Sequence, residues 1–185
     1  QNTMPSFKRA VECGAETLET DIHITIDKQL IIMHDDSLGR TAEGSEPVHD
    51  KTFDELTHTT ADKEWKGTQY EGVLIPSYEE FLEYNKGNDC VLFVEIKEDD
   101  PELVDKFLEI TDKHDMRSHI CVISFFTNML QYLHKKAPDI SLGFLWLIID
   151  PEKDVMEECE RHINLATENF ACIDLNINRT NRYYY

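Results

Sequence analysis

From Ile75 onward the chain alternates short apolar runs with amphipathic stretches, and this rhythm restricts the fold more than any other feature. Ser77-Tyr78-Glu79-Glu80 has capping-box spacing and predicts a helix running to about residue 86. Residues 90–97 form an apolar strand-like run, and Asp100-Pro101 supplies a cap followed by a first-turn proline. Leu103, Val104, Phe107, Leu108 and Ile110 then recur at helical spacing. The same rhythm predicts strands over 119–125, 140–147 and 171–176, with helices over 127–136 and 151–163 between them. Strand and helix exchanging places across short loops is the pattern of a parallel α/β sheet.

The N-terminal part fits the same plan. Met4, Phe7, Ala10 and Val11 predict a helix over 3–13, stopped by Gly14. Residues 18–26 alternate, with Leu18, Thr20, Ile22 and Ile24 on one side and Glu19, Asp21, His23 and Thr25 on the other. Asp27-Lys28 makes a turn into a short apolar strand over 30–33, which ends at His34-Asp35-Asp36. Residues 37–74 read as polar and irregular, with one short helix at the capping box Thr52-Phe53-Asp54-Glu55. Nothing suggests a second domain across 1–185. Two closures suit the pattern, a doubly wound sheet or a (β/α)₈ barrel. About five main strands are too few for a barrel, which takes roughly 250 residues. The chain opens with a helix and stops just after a strand, so strands missing from both ends are expected.

Charge narrows the partners. With 18 basic and 37 acidic residues the net charge is −19, a field that repels nucleic acid backbones and anionic membranes. An anionic small substrate would need local positive charge, from a divalent cation or a focused lysine. No run approaches the ~18 apolar residues that a membrane span requires. The five cysteines include no C-x-x-C pair, and Cys90, Cys121 and Cys172 sit in apolar runs. Buried free thiols are the expectation, which favours a reducing compartment such as the cytoplasm. Cys159 and His162 have C-x-x-H spacing, but nothing nearby completes four ligands for zinc.

Two carboxylate-bearing pairs stand out. Glu19 and Asp21 lie two apart on one strand, so both project from the same face, and hard divalent cations prefer such oxygens. Glu95 and Lys97 repeat the spacing on a strand that otherwise reads as buried, where an acid and a base need partners or a metal. Both pairs lie toward the C-terminal ends of their strands, where barrel enzymes place their sites. His34 closes an apolar strand, and histidine is the usual acid/base group near neutral pH. It is one of eight histidines, and spacing alone does not single it out. His49-Asp50 lies in polar loop sequence and reads as incidental.

Order adds what spacing lacks. The run Asn2-Thr3, Phe7-Lys8-Arg9-Ala10, Gly14-Ala15-Glu16, Leu18-Glu19-Thr20-Asp21-Ile22, Thr25-Ile26-Asp27, Ile32-Met33-His34-Asp35, Leu38-Gly39-Arg40-Thr41 and Gly44 resembles the N-terminal block of the glycerophosphodiester phosphodiesterase family. The resemblance continues through Ile75-Pro76-Ser77-Tyr78-Glu79-Glu80, Val94-Glu95-Ile96-Lys97 and Val122-Ile123-Ser124. It implies a (β/α)₈ barrel of the phospholipase-C-like phosphodiesterase type, with residues 37–74 as a small insertion. It also implies that Glu19, Asp21 and Glu95 bind a divalent metal (Mg²⁺ or Ca²⁺), that His34 is one of two acid/base groups, and that Lys97 lies near the phosphate. The implied reaction cleaves a small-molecule glycerophosphodiester to glycerol 3-phosphate and an alcohol, the glycerol hydroxyl attacking first to give a cyclic phosphate. The alternatives are a non-catalytic barrel that binds a metal or a phosphodiester, and a related phospholipid phosphodiesterase. The chain departs from the pattern in four places. It lacks the family's first histidine, in a His-Arg-Gly motif, and its last strands. Gln1 stands where a glutamate is usual, and Lys28 where a glycine is usual. A partial barrel, inactive by itself, is the expectation.

Overall fold

The computed structural model describes residues 1–147 and, beyond them, positions 160 and 164 and the strand Asp174–Asn178. The elements run α1 (Met4–Glu12), β1 (Thr17–Ile24), β2 (Leu30–Ile32), α2 (Phe53–Thr57), α3 (Tyr78–Asn85), β3 (Val91–Ile96), α4 (Pro101–Lys113), β4 (Ile120–Ser124), α5 (Thr127–Lys136), β5 (Ser141–Leu147) and β6 (Asp174–Asn178). Single 3₁₀ turns occupy Val48–Asp50 and Arg117–His119. The helix expected over 151–163 lies outside the described residues except for Glu160, which is helical. Cys159, His162 and Cys172 lie outside them too.

The sheet order is β2-β1-β3-β4-β5-β6, with β2 antiparallel to β1 and every other pairing parallel. The five parallel strands are therefore laid down in chain order, each on the same side of the last. A doubly wound sheet reverses direction at a switch point, and the described strands show none. Packing shows the same one-sidedness. Met4, Phe7, Tyr78, Phe81, Leu103, Phe107, Leu130 and Leu133 from the helices share one core with Leu18, Ile22, Leu92, Val94, Val122 and Leu142. Each such side chain withdrawn from water contributes roughly 1.5–3 kcal/mol. The opposite sheet face carries a small cluster of Cys121, Ile123 and Leu145, with Phe93 against it. Helices on one face only are the arrangement of a curling barrel wall.

The helix boundaries follow their predicted signals. The Asp100 side chain accepts from the Glu102 backbone N–H at 2.9 Å, Pro101 opens α4, and Lys113 sits in its last turn. Asp115, at φ 56°, closes α4 in the left-handed conformation, and the Met116 N–H returns to the Thr111 carbonyl at 3.2 Å. At α3 the Ser77 hydroxyl accepts from the Glu80 N–H at 3.0 Å.

Two strands are shorter than the expected 18–26 and 119–125. β1 ends at Ile24 because Thr25 already turns, its N–H bonding the Gln29 carbonyl. His119 belongs to a 3₁₀ turn, and Phe125 points 40% exposed past the end of β4. Alternation in β1 also gives way, since Asp21 and His23 are buried along with their neighbours. Asp21 meets Asn2 and Lys97 there, and His23 meets Glu98, while Leu38, Ala42, Val48 and Leu56 of residues 37–74 build a second core with Ile31, Met33 and Ile75. The aperiodic spacing of these residues hid that core behind a polar reading. Gly44 is required there. It adopts φ +115°, and a Cβ on it would lie 2.6 Å from a Glu46 oxygen and 3.0 Å from Leu38. Among the described residues no helix is long and apolar enough to cross a membrane.

Candidate active site

Register brings the two acidic pairs together. In the parallel β1–β3 pairing Glu19 lies opposite Phe93 and Asp21 opposite Glu95. Neighbours in register share a face, so Glu19, Asp21 and Glu95 converge, each offering a carboxylate oxygen within 4.8 Å of the others. Lys97 follows two residues after Glu95 on the same side. Its Nζ lies 3.0 Å from Glu95 Oε1 and 3.5 Å from Asp21 Oδ1. Asn2, just before α1, donates from Nδ2 to Asp21 Oδ2 at 2.6 Å and accepts from the Thr20 hydroxyl at 3.1 Å.

The electrostatics show too little positive charge. Partial loss of solvation around the Glu19 carboxyl, then the negative charges of Asp21 and Glu95, push it up to about 7 from an ordinary 4.5. Burial also raises Glu95, against the pull of Lys97. For Lys97, burial alone would lower the ammonium, but Glu95 and Asp21 together outweigh it and hold it above its usual value. Asp21 Oδ1 is buried and has no hydrogen-bond partner. Three carboxylates against one ammonium, with a buried oxygen left over, fit a hard divalent cation bound by oxygen ligands.

His34 joins this group through the backbone. The Met33 N–H donates to the Asp21 carbonyl at 3.1 Å, which sets the next residue beside the acids. A cavity of about 260 Å³ has Asn2, Phe7, Glu19, Asp21 and His34 among its walls. His34 Nδ1 lies 2.8 Å from Asp35 Oδ1, and Asp35 is clamped from its other side by Arg40, Nε to Oδ2 at 2.7 Å and one terminal nitrogen to Oδ1 at 2.8 Å. Arg40 foremost, then His34, hold the Asp35 carboxyl down at about 2. An ionised carboxylate only accepts, so the Nδ1 proton faces Asp35 and Nε2 is left for proton exchange.

All five residues singled out in the sequence, Glu19, Asp21, His34, Glu95 and Lys97, thus meet at one place. Sequence reasoning gave no role to Asn2, Asp35 or Arg40, although all three lie in the matched motif. His49 and Asp50 form an exposed local pair, 3.5 Å apart, as expected of incidental loop residues.

The glycerophosphoryl diester phosphodiesterase family model matches residues 1–171. The chain belongs to that family. It is 30% identical over 149 residues to the glycerophosphodiester phosphodiesterase of Caldanaerobacter subterraneus subsp. tengcongensis, covering 79% of this chain and 61% of that protein. The enzyme of the same name from Bacillus altitudinis is 30% identical over 162 residues, covering 84% of this chain and 64% of its own length. The chain thus spans a little under two thirds of these relatives. Among solved structures, an Oleispira antarctica phosphodiesterase in complex with the product sn-glycerol-3-phosphate superimposes with a TM-score of 0.76 at 25% identity, covering 95% of this chain and 68% of that one. The fold is accordingly an α/β barrel of the TIM type, represented here by a partial sheet of five parallel strands.

Proposed function

We propose that the whole protein hydrolyses glycerophosphodiesters to glycerol 3-phosphate and an alcohol, with a divalent cation held by Glu19, Asp21 and Glu95. The observation that carries this reading is the three-carboxylate cluster with an ammonium beside it and a histidine at its edge. A bound cation would polarise a phosphoryl oxygen and offset charge that builds in the transition state.

The chain's own residues supply the rest. Lys97, ionised between Glu95 and Asp21, would present positive charge to a phosphate that the net charge of −19 otherwise repels. Asn2 fixes the Asp21 carboxylate in one orientation. His34, its Nδ1 proton held by Asp35, would take or give a proton at Nε2, either at the attacking hydroxyl or at the departing alcohol. Residues 37–74 pack on Ile31 and Met33 through Leu38, Val48 and Leu56, which supports reading them as an insertion after β2. The free thiols of Cys13 and Cys90 support a reducing compartment.

Release of glycerol 3-phosphate from glycerophosphodiesters by the whole protein tests the reading. Turnover should stop with EDTA and return on addition of Mg²⁺ or Ca²⁺. Full activity in EDTA would refute the metal assignment, and no release with either cation would refute the reaction.

A further inference from the structure

Lys97 stands one residue beyond the end of β3, where the ladder to β1 is weakening. The last register pair is Ile22 with Ile96, and the Lys97 N–H reaches the Ile22 carbonyl at a long 3.4 Å. We propose that His23 and Glu98 are a positioning pair for Lys97, tying the chain after β3 to β1 so that the ammonium stays beside the acids; this rests on the hydrolytic reading above, in which Lys97 meets the phosphate.

The pair sits where such a tie is needed. His23 lies two residues after Asp21 on β1, so both project from the same face. One step past the Ile22–Ile96 pair, the register sets His23 beside Lys97. The His23 ring is buried, and its Nδ1 lies 2.8 Å from Glu98 Oε1. The same oxygen accepts from the Ile24 N–H at 3.2 Å, so one carboxylate closes on two groups of β1. A carboxylate only accepts, so Nδ1 carries the proton. His23 Nε2 is buried with no hydrogen-bond partner among the described residues. An apolar side chain would fill this place without an orphan nitrogen, so packing does not account for a histidine here. Its bond to Glu98 does.

The neighbouring ties run to the other side. Ser124 Oγ donates to the Ile96 carbonyl at 2.8 Å, and Asn128 Nδ2 donates to Asp99 Oδ1, both from the β4–α5 connection. They hold the chain before and after Lys97 against β4 and α5. Glu98 holds it against β1, the strand that carries Glu19 and Asp21.

The test is a double-mutant cycle on the whole protein with the cation that supports turnover. Its readouts are kcat and KM for sn-glycero-3-phosphocholine and the affinity for sn-glycerol 3-phosphate. His23→Leu should lower kcat/KM about tenfold or more, the scale of a misplaced binding group, and chiefly through KM. Affinity for the product should fall with it. His23→Asn places an amide N–H where Nδ1 stood and should recover most of the loss, whereas His23→Gln, whose amide reaches the place of Nε2, should not. In a Lys97→Ala background His23→Leu should change either readout by less than about twofold, because its effect passes through Lys97. Cation affinity should not fall in His23→Leu, which leaves the three carboxylates in place. An equal loss from His23→Leu with and without Lys97, a loss in kcat alone, or a fall in cation affinity would overturn the positioning role and leave the reaction standing. If His23→Leu does not fold, Glu98→Ala, at a side chain 23% exposed, takes its place in the cycle with the same expectations. No hydrolysis by the parent protein would overturn the reaction, and the affinity cycle would then decide the positioning by itself. A parent protein that binds no sn-glycerol 3-phosphate would overturn both.

Discussion

Replacing Asp35 with Asn isolates the interaction that orients His34. Asp35 accepts two hydrogen bonds from Arg40, at 2.7 and 2.8 Å, and faces His34 Nδ1 at 2.8 Å. These partners, Arg40 foremost, hold its carboxyl at about 2 where 3.8 is ordinary, which corresponds to roughly 2 kcal/mol of stability at neutral pH. Arg40 is 46% exposed, so solvent screening reduces the expectation to about 1–2 kcal/mol. The sign follows from the downward shift. The folded chain holds this carboxyl ionised where the unfolded chain would protonate it, so the stabilisation is complete above about pH 5 and fades as pH falls toward 2. Urea unfolding of Asp35→Asn and the parent protein at stepped pH measures it. The gap between them should be about 1–2 kcal/mol at pH 7, worth roughly 2–8 °C in Tm for a chain of this size, and should narrow steadily below pH 4. A gap that stays constant down to pH 2.5, or no gap at pH 7, would refute the reasoning.

Three further outcomes are expected. Lys28 sits at φ 59°, a conformation that costs a residue with a Cβ roughly 1–2 kcal/mol, and its pairs with Glu102 and Asp100 are half exposed. After the extra chain entropy of glycine, Lys28→Gly should raise unfolding stability by about 0.5–1 kcal/mol, and a loss would show that those surface pairs matter more than the backbone. Tyr78 is fully buried with its hydroxyl 3.0 Å from Thr111 Oγ1, so Tyr78→Phe, which takes that partner from the buried Thr111 hydroxyl, should cost about 1–2 kcal/mol in denaturant. His34→Ala should lower turnover about 10²-fold or more in a protein that still folds, the scale of a general acid/base; retention of activity would remove His34 from the chemistry.

What the sequence made legible was periodic. The α4 face, the Asp100-Pro101 cap and the parallel strands follow from spacings that depend only on local geometry, and they appear with shifts of one or two residues at their ends. Glu19, Asp21, Glu95 and Lys97 were legible because a two-residue spacing fixes a shared face. That the two pairs meet depends on the β1–β3 register, which a single strand does not reveal and which the family resemblance supplied. The core under Leu38, Val48 and Leu56 was illegible because irregular backbone has no period to read. The Arg40–Asp35–His34 chain escaped for a related reason: it spans a loop, and its partners are set by a turn rather than by a face.

The central claim is that Glu19, Asp21 and Glu95 act together as a site for a divalent cation. Isothermal titration of the whole protein with Mg²⁺ and with Ca²⁺, alongside Asp21→Asn, tests it most directly. Asp21 is the most deeply buried member of the cluster, held by Asn2 at Oδ2 and lying 3.5 Å from Lys97 at Oδ1, so its replacement removes a ligand fixed in place at the centre of the site. The expected result is binding of one of these cations at a single site in the parent protein and its loss in the variant, with the circular dichroism of the two unchanged. Equal cation affinity in a folded Asp21→Asn variant would contradict the claim.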